Sequence, residues 1–356
     1  MEVKERKKIK VLMIGPDRRV HGGISGVVNN YYEAGLDKKI DLCYIGTMVE
    51  GSRGRKLWQA VWAFAAFCVK LPRYQIAHIN MASDNSYRRK SFFIRTAKLF
   101  GKKIVLHQHG GDFESYYYKE QSDNGRRKIN KVLLMGDAFL VLTPVWKDFF
   151  SHMVDRKKIT VLPDAIALPE PAPKEYGQHK ILFMGRLCKE KGIGELLQIM
   201  PELKKQFPGV HLYLGGIWED GELKAKAGKH KDMITYLGWL TGKEKENCFR
   251  QCDIFVMPSY FEGQSVSILE AMAYGCAVAA SNTGGIPFMV TDNRTGLLVP
   301  PKEADALKEG LFRLLSDKEL CRLLGEAARQ RAEEGFDIEK NMKQLISVYE
   351  RVLRSA

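Results

Sequence analysis

The stretch YFEGQSVSILEAMAYG (260–275) carries two acids, Glu262 and Glu270, around a short apolar run. Eight α-helical steps turn through about 800° and leave the two side chains roughly 80° apart, so one continuous helix would not stack them. A loop followed by a helix fits better. The strand-like DIFVMPS (253–259) ends at a proline, Gly263 breaks the chain, and Ser265 can cap a helix through Leu269, Glu270, Ala271 and Met272. Glu262 is then expected in the loop above the helix N-terminus and Glu270 on its second turn. The free N–H groups of Gln264, Ser265 and Val266 would face the space between them, and a helix N-terminus with bare amides attracts anions. Carboxylates accept hydrogen bonds from hydroxyls. The pattern therefore suits a ligand with both phosphate and hydroxyl groups. The plainer alternative is a loop acid and an exposed helix acid.

Other chemistry-bearing residues also follow apolar runs. In LFMGRLCKEKGIGELL (182–197), Arg186 and Lys191 stand five apart beside a helix start. That spacing suits a pyrophosphate clamp, although Lys189, Glu190 and Lys191 also read as a solvated charge cluster. No Walker A loop is present, and HGGISG (21–26), with Gly22 and Gly23, does not match the dinucleotide fingerprint. HQHGGDF (107–113) puts His107 and His109 on one face of a strand end. Two histidines at i, i+2 without a third ligand at convincing spacing argue against a metal. His109 reads better as a hydrogen-bond donor to substrate. SNTGGIPFMV (281–290) is a further glycine turn suited to close contact with phosphate or sugar.

The elements that must position these groups alternate strand and helix, which implies α/β architecture with parallel sheets. Expected strands in the first half are 8–15, 75–81, 102–110 and 138–144. Those in the second half are 180–185, 210–216, 233–239, 253–259 and 276–281. The proline-rich VLPDAIALPEPAPKEYGQHK (161–180) reads as a linker. The expected division is 1–165, 166–337 and a terminal amphipathic helix in 338–356. Two doubly wound halves would leave a cleft between them, with ligands outside the C-terminal strand ends.

Composition narrows the class. At 356 residues and 45% apolar, the chain can build two cores. The longest apolar run, AVWAFAAFCV (60–69), is too short to span a bilayer. Seven scattered cysteines without a C-x-x-C pair, and an N-terminus without a signal-peptide cleavage site, suggest a cytosolic chain with reduced thiols. The net charge of +14 is one-sided. Up to Leu168 there are 30 Lys and Arg against 16 Asp and Glu, whereas the remaining 26 basic residues are matched by 26 acids. The first half should therefore meet an anionic partner.

Taken in order, Gly185-Arg186-Leu187, Glu190-Lys191-Gly192, FEGQSVSILEAMAYGCAVAAS, TGGIP and TGLLVP resemble the retaining family 4 glycosyltransferases of GT-B fold, of the bacterial surface-polysaccharide type. The resemblance is dense in the second half and rests on HGG loops in the first. It implies a fold of two Rossmann-like domains facing a central cleft. Arg186 and Lys191 would hold the donor diphosphate, and Glu270 the ribose hydroxyls. Glu262 would face the transferred sugar, beside the amides of Gly263, Gln264, Ser265 and Val266. His109 would lie near sugar and acceptor, Gly22 and Gly23 would close on the phosphates, and Leu240 in GWLTG (238–242) would lie near the base. The terminal helix would pack back on the first domain. Two positions depart from the pattern: Asp164-Ala165 replaces the Asn-Gly often found in the linker, and Phe288 replaces the Glu often found after GGIP.

The expected reaction is sugar transfer with retention from a nucleotide-diphosphate sugar, with UDP as the expected nucleotide, to a hydroxyl of a lipid-linked or polysaccharide-precursor acceptor. No cofactor or metal is expected. A sugar-nucleotide epimerase of the same fold and a non-catalytic sugar-nucleotide-binding protein are the alternatives. A nucleic-acid partner is not expected, because no recognition motif of that class occurs. The basic excess is instead expected to dock an anionic membrane, placing the protein peripherally at the inner face of the cell membrane. One candidate is a helix face with Arg88, Arg95 and Lys98 opposite Phe93, Ala97 and Phe100. The segment 56–73, with Trp58, Trp62, Phe64 and Phe67 flanked by Arg53, Arg55, Lys70 and Arg73, is a second candidate. Being apolar all round, it reads more readily as buried against the sheet.

Overall fold

The computed structural model describes residues 8–110 and 113–355, so Gly111 of the HQHGGDF motif lies outside the described residues. The chain forms two compact units. The first runs to Ala167 and resumes at Ile338; the second is Leu168–Asp337.

In the first unit, β1 (Lys10–Gly15), β2 (Asp41–Gly46), β3 (Ile76–Met81), β4 (Lys103–Gln108), β5 (Ala138–Val141) and β6 (Ile159–Val161) form one sheet in the order β2-β1-β3-β4-β5-β6. All neighbouring pairs are parallel. The central strands are near-continuous buried runs, as a sheet covered on both faces requires. Phe67 and Phe93 meet edge to face at 5.0 Å in the core, and Phe139 and Phe150 lie 4.8 Å apart. The terminal helix Ile338–Arg354 belongs to this unit. Its buried residues Met342, Leu345, Tyr349 and Val352 recur at helical spacing, and Ile338 N–H bonds the Ile166 carbonyl.

In the second unit, β7 (Lys180–Met184), β8 (His211–Gly215), β9 (Ile234–Gly238), β10 (Ile254–Met257), β11 (Ala277–Ser281) and β12 (Leu297–Val299) run in the order β12-β11-β10-β7-β8-β9, again all parallel. The buried Asp253 carboxylate accepts the backbone N–H groups of Gly177, Gln178 and Lys180, each at 2.9 Å. It thereby ties the end of the proline-rich segment to the start of β7.

The α/β reading with two parallel sheets holds. Three strands were not expected: β2, β6 and β12. Two of them are only three residues long, and all three lie at sheet edges. In each sheet the strand order reverses once, between β1 and β3 and between β7 and β10. Such switch points open a crevice at the C-terminal strand ends.

Candidate active site

The switch point of the second unit gathers most of the expected site. β7 leads through Gly185 to Arg186, then to a short turn Lys189–Lys191 and the helix Ile193–Gln206. Gly192 joins turn to helix at φ 71°, and a Cβ there would lie 2.1 Å from the Pro258 carbonyl oxygen. Only glycine lets this turn approach the end of β10 so closely. Across the crevice, β10 runs out through Pro258 and the fully buried Ser259 to Glu262. The Lys191 ammonium is ion-paired with Glu262 Oε1, and the Ser259 hydroxyl donates to the same oxygen at 2.9 Å. The Lys191 and Glu262 side chains are only 17% and 12% exposed. Gly284, at φ 55°, lets the 281–290 turn close over the Glu262 carbonyl, which accepts the Gly285 N–H at 2.9 Å.

The helix anticipated after Gly263 is Val266–Ala273. Ser265 is its N-cap, accepting the Ile268 N–H at 3.4 Å. The intrahelical ladder starts from the Ser265 carbonyl with Leu269 N–H, so the amides ahead of it are not used by the helix. Gly263, Gln264 and Ser265 are buried, and Val266 is half-buried. Glu270 lies on the second turn. Its Oε1 pairs with Lys245 at 2.5 Å, while its Oε2 is buried and without a hydrogen-bond partner among the described residues. Lys245 belongs to the helix Gly242–Gln251, which begins just after Leu240. Lys245 thus links Glu270 to the helix that follows the GWLTG segment.

Arg186 is more open. Its guanidinium bonds Glu219 at 2.9 Å, with both side chains about half exposed. Each cation of the expected clamp is thus held by its own acid. Phe288 packs edge to face on Phe336, with Arg331 beside both rings.

In the first unit, Gly22 and Gly23 open the helix Gly23–Glu33. Both are exposed, with no atom within 4 Å of a would-be Cβ. His109 lies just beyond β4 and is buried. Its Nε2 faces Asn80 Oδ1 at 2.7 Å and its Nδ1 faces Asp164 Oδ1 at 3.2 Å. The Asn80 amide nitrogen donates to the Ile14 carbonyl, so its oxygen accepts from His109. As a donor to substrate, His109 must first release one of these oxygens. The linker departure Asp164 is thus a partner of His109, a role that sequence reasoning missed. Asp164 is 55 residues away along the chain.

His107, His109 and Asp164 are, among the described residues, the one group of His, Cys, Asp or Glu whose donor atoms lie within 4.8 Å of one another. His109 Nε2 faces Asn80 and its Nδ1 faces Asp164, whereas the buried His107 Nε2 has no hydrogen-bond partner among the described residues. The fold thus supplies a third group that spacing along the chain did not offer. Behind the trio, His78 Nε2 faces His107 Nδ1 at 3.3 Å, and His78 Nδ1 faces the Tyr349 hydroxyl at 2.5 Å. Burial, reinforced by the charge of His109, pushes the His78 pKa down to about 3 and that of His107 well below its ordinary value.

The first candidate for a membrane helix needs correction. On Asp84–Leu99, Arg88, Arg95 and Lys98 are exposed as expected, but Phe93 and Ala97 are buried in the unit's core and cannot enter lipid. The second candidate, Arg53–Lys70, buries Ala63 and Phe67 and leaves Leu57, Trp58, Val61, Trp62 and Val69 exposed. Among the described residues, no helix is long and apolar enough to cross a membrane.

Comparison with known proteins shows what the second unit resembles. Residues 166–331 match the family described as glycosyl transferases group 1. The chain is 26% identical over 270 residues to the uncharacterized glycosyltransferase YqgM of Bacillus subtilis (strain 168), covering 72% of this chain and 73% of that one. In fold it is similar to sucrose-phosphate synthase (tll1590) from Thermosynechococcus elongatus, with TM-score 0.80, 22% identity and 98% and 100% of the two chains covered. It is also similar to Anabaena Alr3699/HepE, whose structure is a complex with UDP and glucose, with TM-score 0.76, 16% identity and 96% and 99% covered. Both likenesses speak to fold, the pair of parallel six-stranded sheets. Residues 166–331 thus resemble the glycosyl transferases group 1, within a chain of GT-B fold.

Proposed function

We propose that this glycosyltransferase moves a sugar, with retention, from a nucleotide-diphosphate sugar to a hydroxyl of a lipid-linked glycan acceptor at an anionic membrane, in cell-surface polysaccharide synthesis. One observation carries the donor reading. The buried Oε2 of Glu270 has no hydrogen-bond partner among the described residues. A buried carboxylate oxygen left unpaired is costly, and a ribose hydroxyl would satisfy it. UDP is the expected nucleotide, in keeping with the fold neighbour solved with UDP and glucose.

The hard step is departure of the diphosphate. Arg186, Lys191 and the amides from Gly263 to Val266 would stabilise the charge that grows on it. Glu262 would face the sugar and hold Lys191 in place. The departing phosphate would take the acceptor proton on the face where the acceptor attacks. His109 would donate to the sugar after exchanging one of its two oxygen partners. These residues need no metal for leaving-group stabilisation, so chelation with EDTA should leave turnover intact.

The membrane reading rests on the Arg53–Lys70 helix. Its exposed apolar stripe is flanked by Arg53, Arg55, Lys56 and Lys70, and the first half of the chain carries the whole basic excess. Arg88, Arg95 and Lys98 would add charge to that docking.

The test is a thermal-shift panel of nucleotide sugars. A ligand at about 100 times its Kd adds roughly 2.7 kcal/mol to stability. Stabilisation by one UDP-sugar that Glu270→Ala abolishes is expected. If no nucleotide sugar stabilises the wild type, the reading fails.

A further inference from the structure

The first unit holds a cavity of about 680 Å³ beside the ends of β1 and β2, outside the residues assigned above to the donor. Its wall includes Arg18, Asn29, Tyr32, Gln59 and Trp62. Arg18 is held in place without being used up. Its Nε donates to Asn29 Oδ1 at 2.8 Å, and the Asn29 amide donates back to the Arg18 carbonyl at 3.0 Å. The guanidinium carbon stands 3.8 Å from the Tyr32 ring centroid. The two terminal nitrogens have no hydrogen-bond partner among the described residues. A planar fork fixed at Nε and backed by an aromatic face is preorganised for phosphate. The neighbouring Arg19 differs, because Asp17 takes it at both Nε and Nη2, and this pairing holds the Asp17 carboxyl below its ordinary pKa. Glu33, also on the wall and exposed, is left to accept hydroxyls.

Trp62 lines this cavity and also belongs to the exposed stripe of the Arg53–Lys70 helix. Gln59, one turn earlier, reaches the Gly46 carbonyl at the end of β2 and fixes that turn against the cavity floor. The polar cavity and the apolar stripe are therefore continuous. We propose that this cavity receives the phosphate end of an amphiphilic molecule, with phosphate on the Arg18 fork and the first part of the hydrocarbon along Trp62. Resting on the acceptor reading above, it places the acceptor's lipid phosphate on this face of the first unit.

The test is calorimetric titration of the full chain with octyl phosphate, inorganic phosphate, octyl glucoside and UDP. Octyl phosphate should bind more tightly than inorganic phosphate or octyl glucoside, and UDP should not compete with it. Arg18→Ala should weaken octyl phosphate roughly tenfold or more. Arg18 is exposed, so the fold should survive the change. Trp62→Ala should weaken octyl phosphate and leave inorganic phosphate unchanged. Equal binding of octyl phosphate by Arg18→Ala overturns the site. Competition by UDP would assign the anion to the donor, and inorganic phosphate binding as tightly as octyl phosphate would remove the lipid. The readout is binding alone. A protein that transfers no sugar but binds octyl phosphate through Arg18 would sink the proposed reaction and keep this site.

Discussion

Removing the two clamp cations should have unequal consequences, and the structure sets the sizes. Lys191 and Glu262 are paired with side chains 17% and 12% exposed, whereas Arg186 and Glu219 are about half exposed. A surface pair contributes about 0–1 kcal/mol. Breaking a buried pair by removing one partner costs about 3–5 kcal/mol, because a poorly solvated charge is left behind. The Lys191 pair lies between these limits, and Ser259 still donates to the stranded Glu262. The expected cost of Lys191→Met is therefore about 1–3 kcal/mol, against at most about 1 kcal/mol for Arg186→Met. For a unit of this size that is roughly 2–4 °C of melting temperature per kcal/mol. Adding Glu262→Gln to Lys191→Met should recover most of the loss, since no charge remains stranded. Urea unfolding of the four proteins in the Lys191/Glu262 cycle measures the coupling directly. Additivity within about 0.5 kcal/mol would refute the argument. The same pair bears on ligands. A diphosphate on Lys191 competes with Glu262, so Glu262→Gln should bind free nucleoside diphosphate more tightly while transferring sugar more slowly.

Three further outcomes are expected. Gly192→Ala should destabilise the second unit by more than about 2 kcal/mol, since the new Cβ would sit 2.1 Å from the Pro258 carbonyl oxygen at φ 71°; a urea midpoint equal to wild type would contradict it. Stability should fall on acidification below about pH 6.5, because the unfolded chain binds protons there that native His78 refuses until about pH 3. That single group accounts for about 2 kcal/mol between pH 7 and pH 5, and His78→Gln should flatten the profile. Trp58→Ser with Trp62→Ser should abolish sedimentation with anionic vesicles at low salt, whereas wild type should pellet with anionic and not neutral lipid; unchanged pelleting would remove the helix from the docking surface.

What could be read from the sequence followed from how local each feature is. β1, β4, β7 and β10 are short apolar runs ending at glycine, proline or histidine, and burial on both faces makes such runs conspicuous. β2 escaped because it is an edge strand with mixed exposure, and β12 because three residues carry no pattern. The capped helix from Val266 to Ala273 was legible, since Ser265 and Glu270 are separated by little more than one turn. Their partners were not. Lys245, Glu219, Asn80 and Asp164 lie 25, 33, 29 and 55 residues from the groups they hold, and only tertiary structure joins them. The absence of a third ligand near His107 and His109 was a statement about spacing along the chain, and the fold supplies Asp164 from the segment after β6.

The helix Arg53–Lys70 shows where periodicity loses its power. A segment apolar all round is ordinarily a buried one, because both faces find protein. Here two residues, Ala63 and Phe67, are buried in the unit. Phe67 fills its place against Phe93, and Ala63 lets the backbone approach. Phe64 and Ala66 also pack against the core, half-buried, whereas other apolar residues of the helix face outward. Leu57, Val61, Ala65 and Val69 recur in steps of four along the outer side, with Trp58 and Trp62 one turn apart beside them, 70% and 51% exposed. A contiguous apolar patch on a folded surface usually marks a binding site, and tryptophan is the residue favoured where hydrocarbon meets headgroups. Hydrophobicity alone cannot separate a helix covered by protein from one covered by lipid, since both environments reward the same side chains. The proposed lipid-facing role rests on the ends of the run, which the sequence already showed to be basic. Arg53, Arg55, Lys56 and Lys70 bracket it with cations, which suit phosphate headgroups and would gain nothing in a protein core.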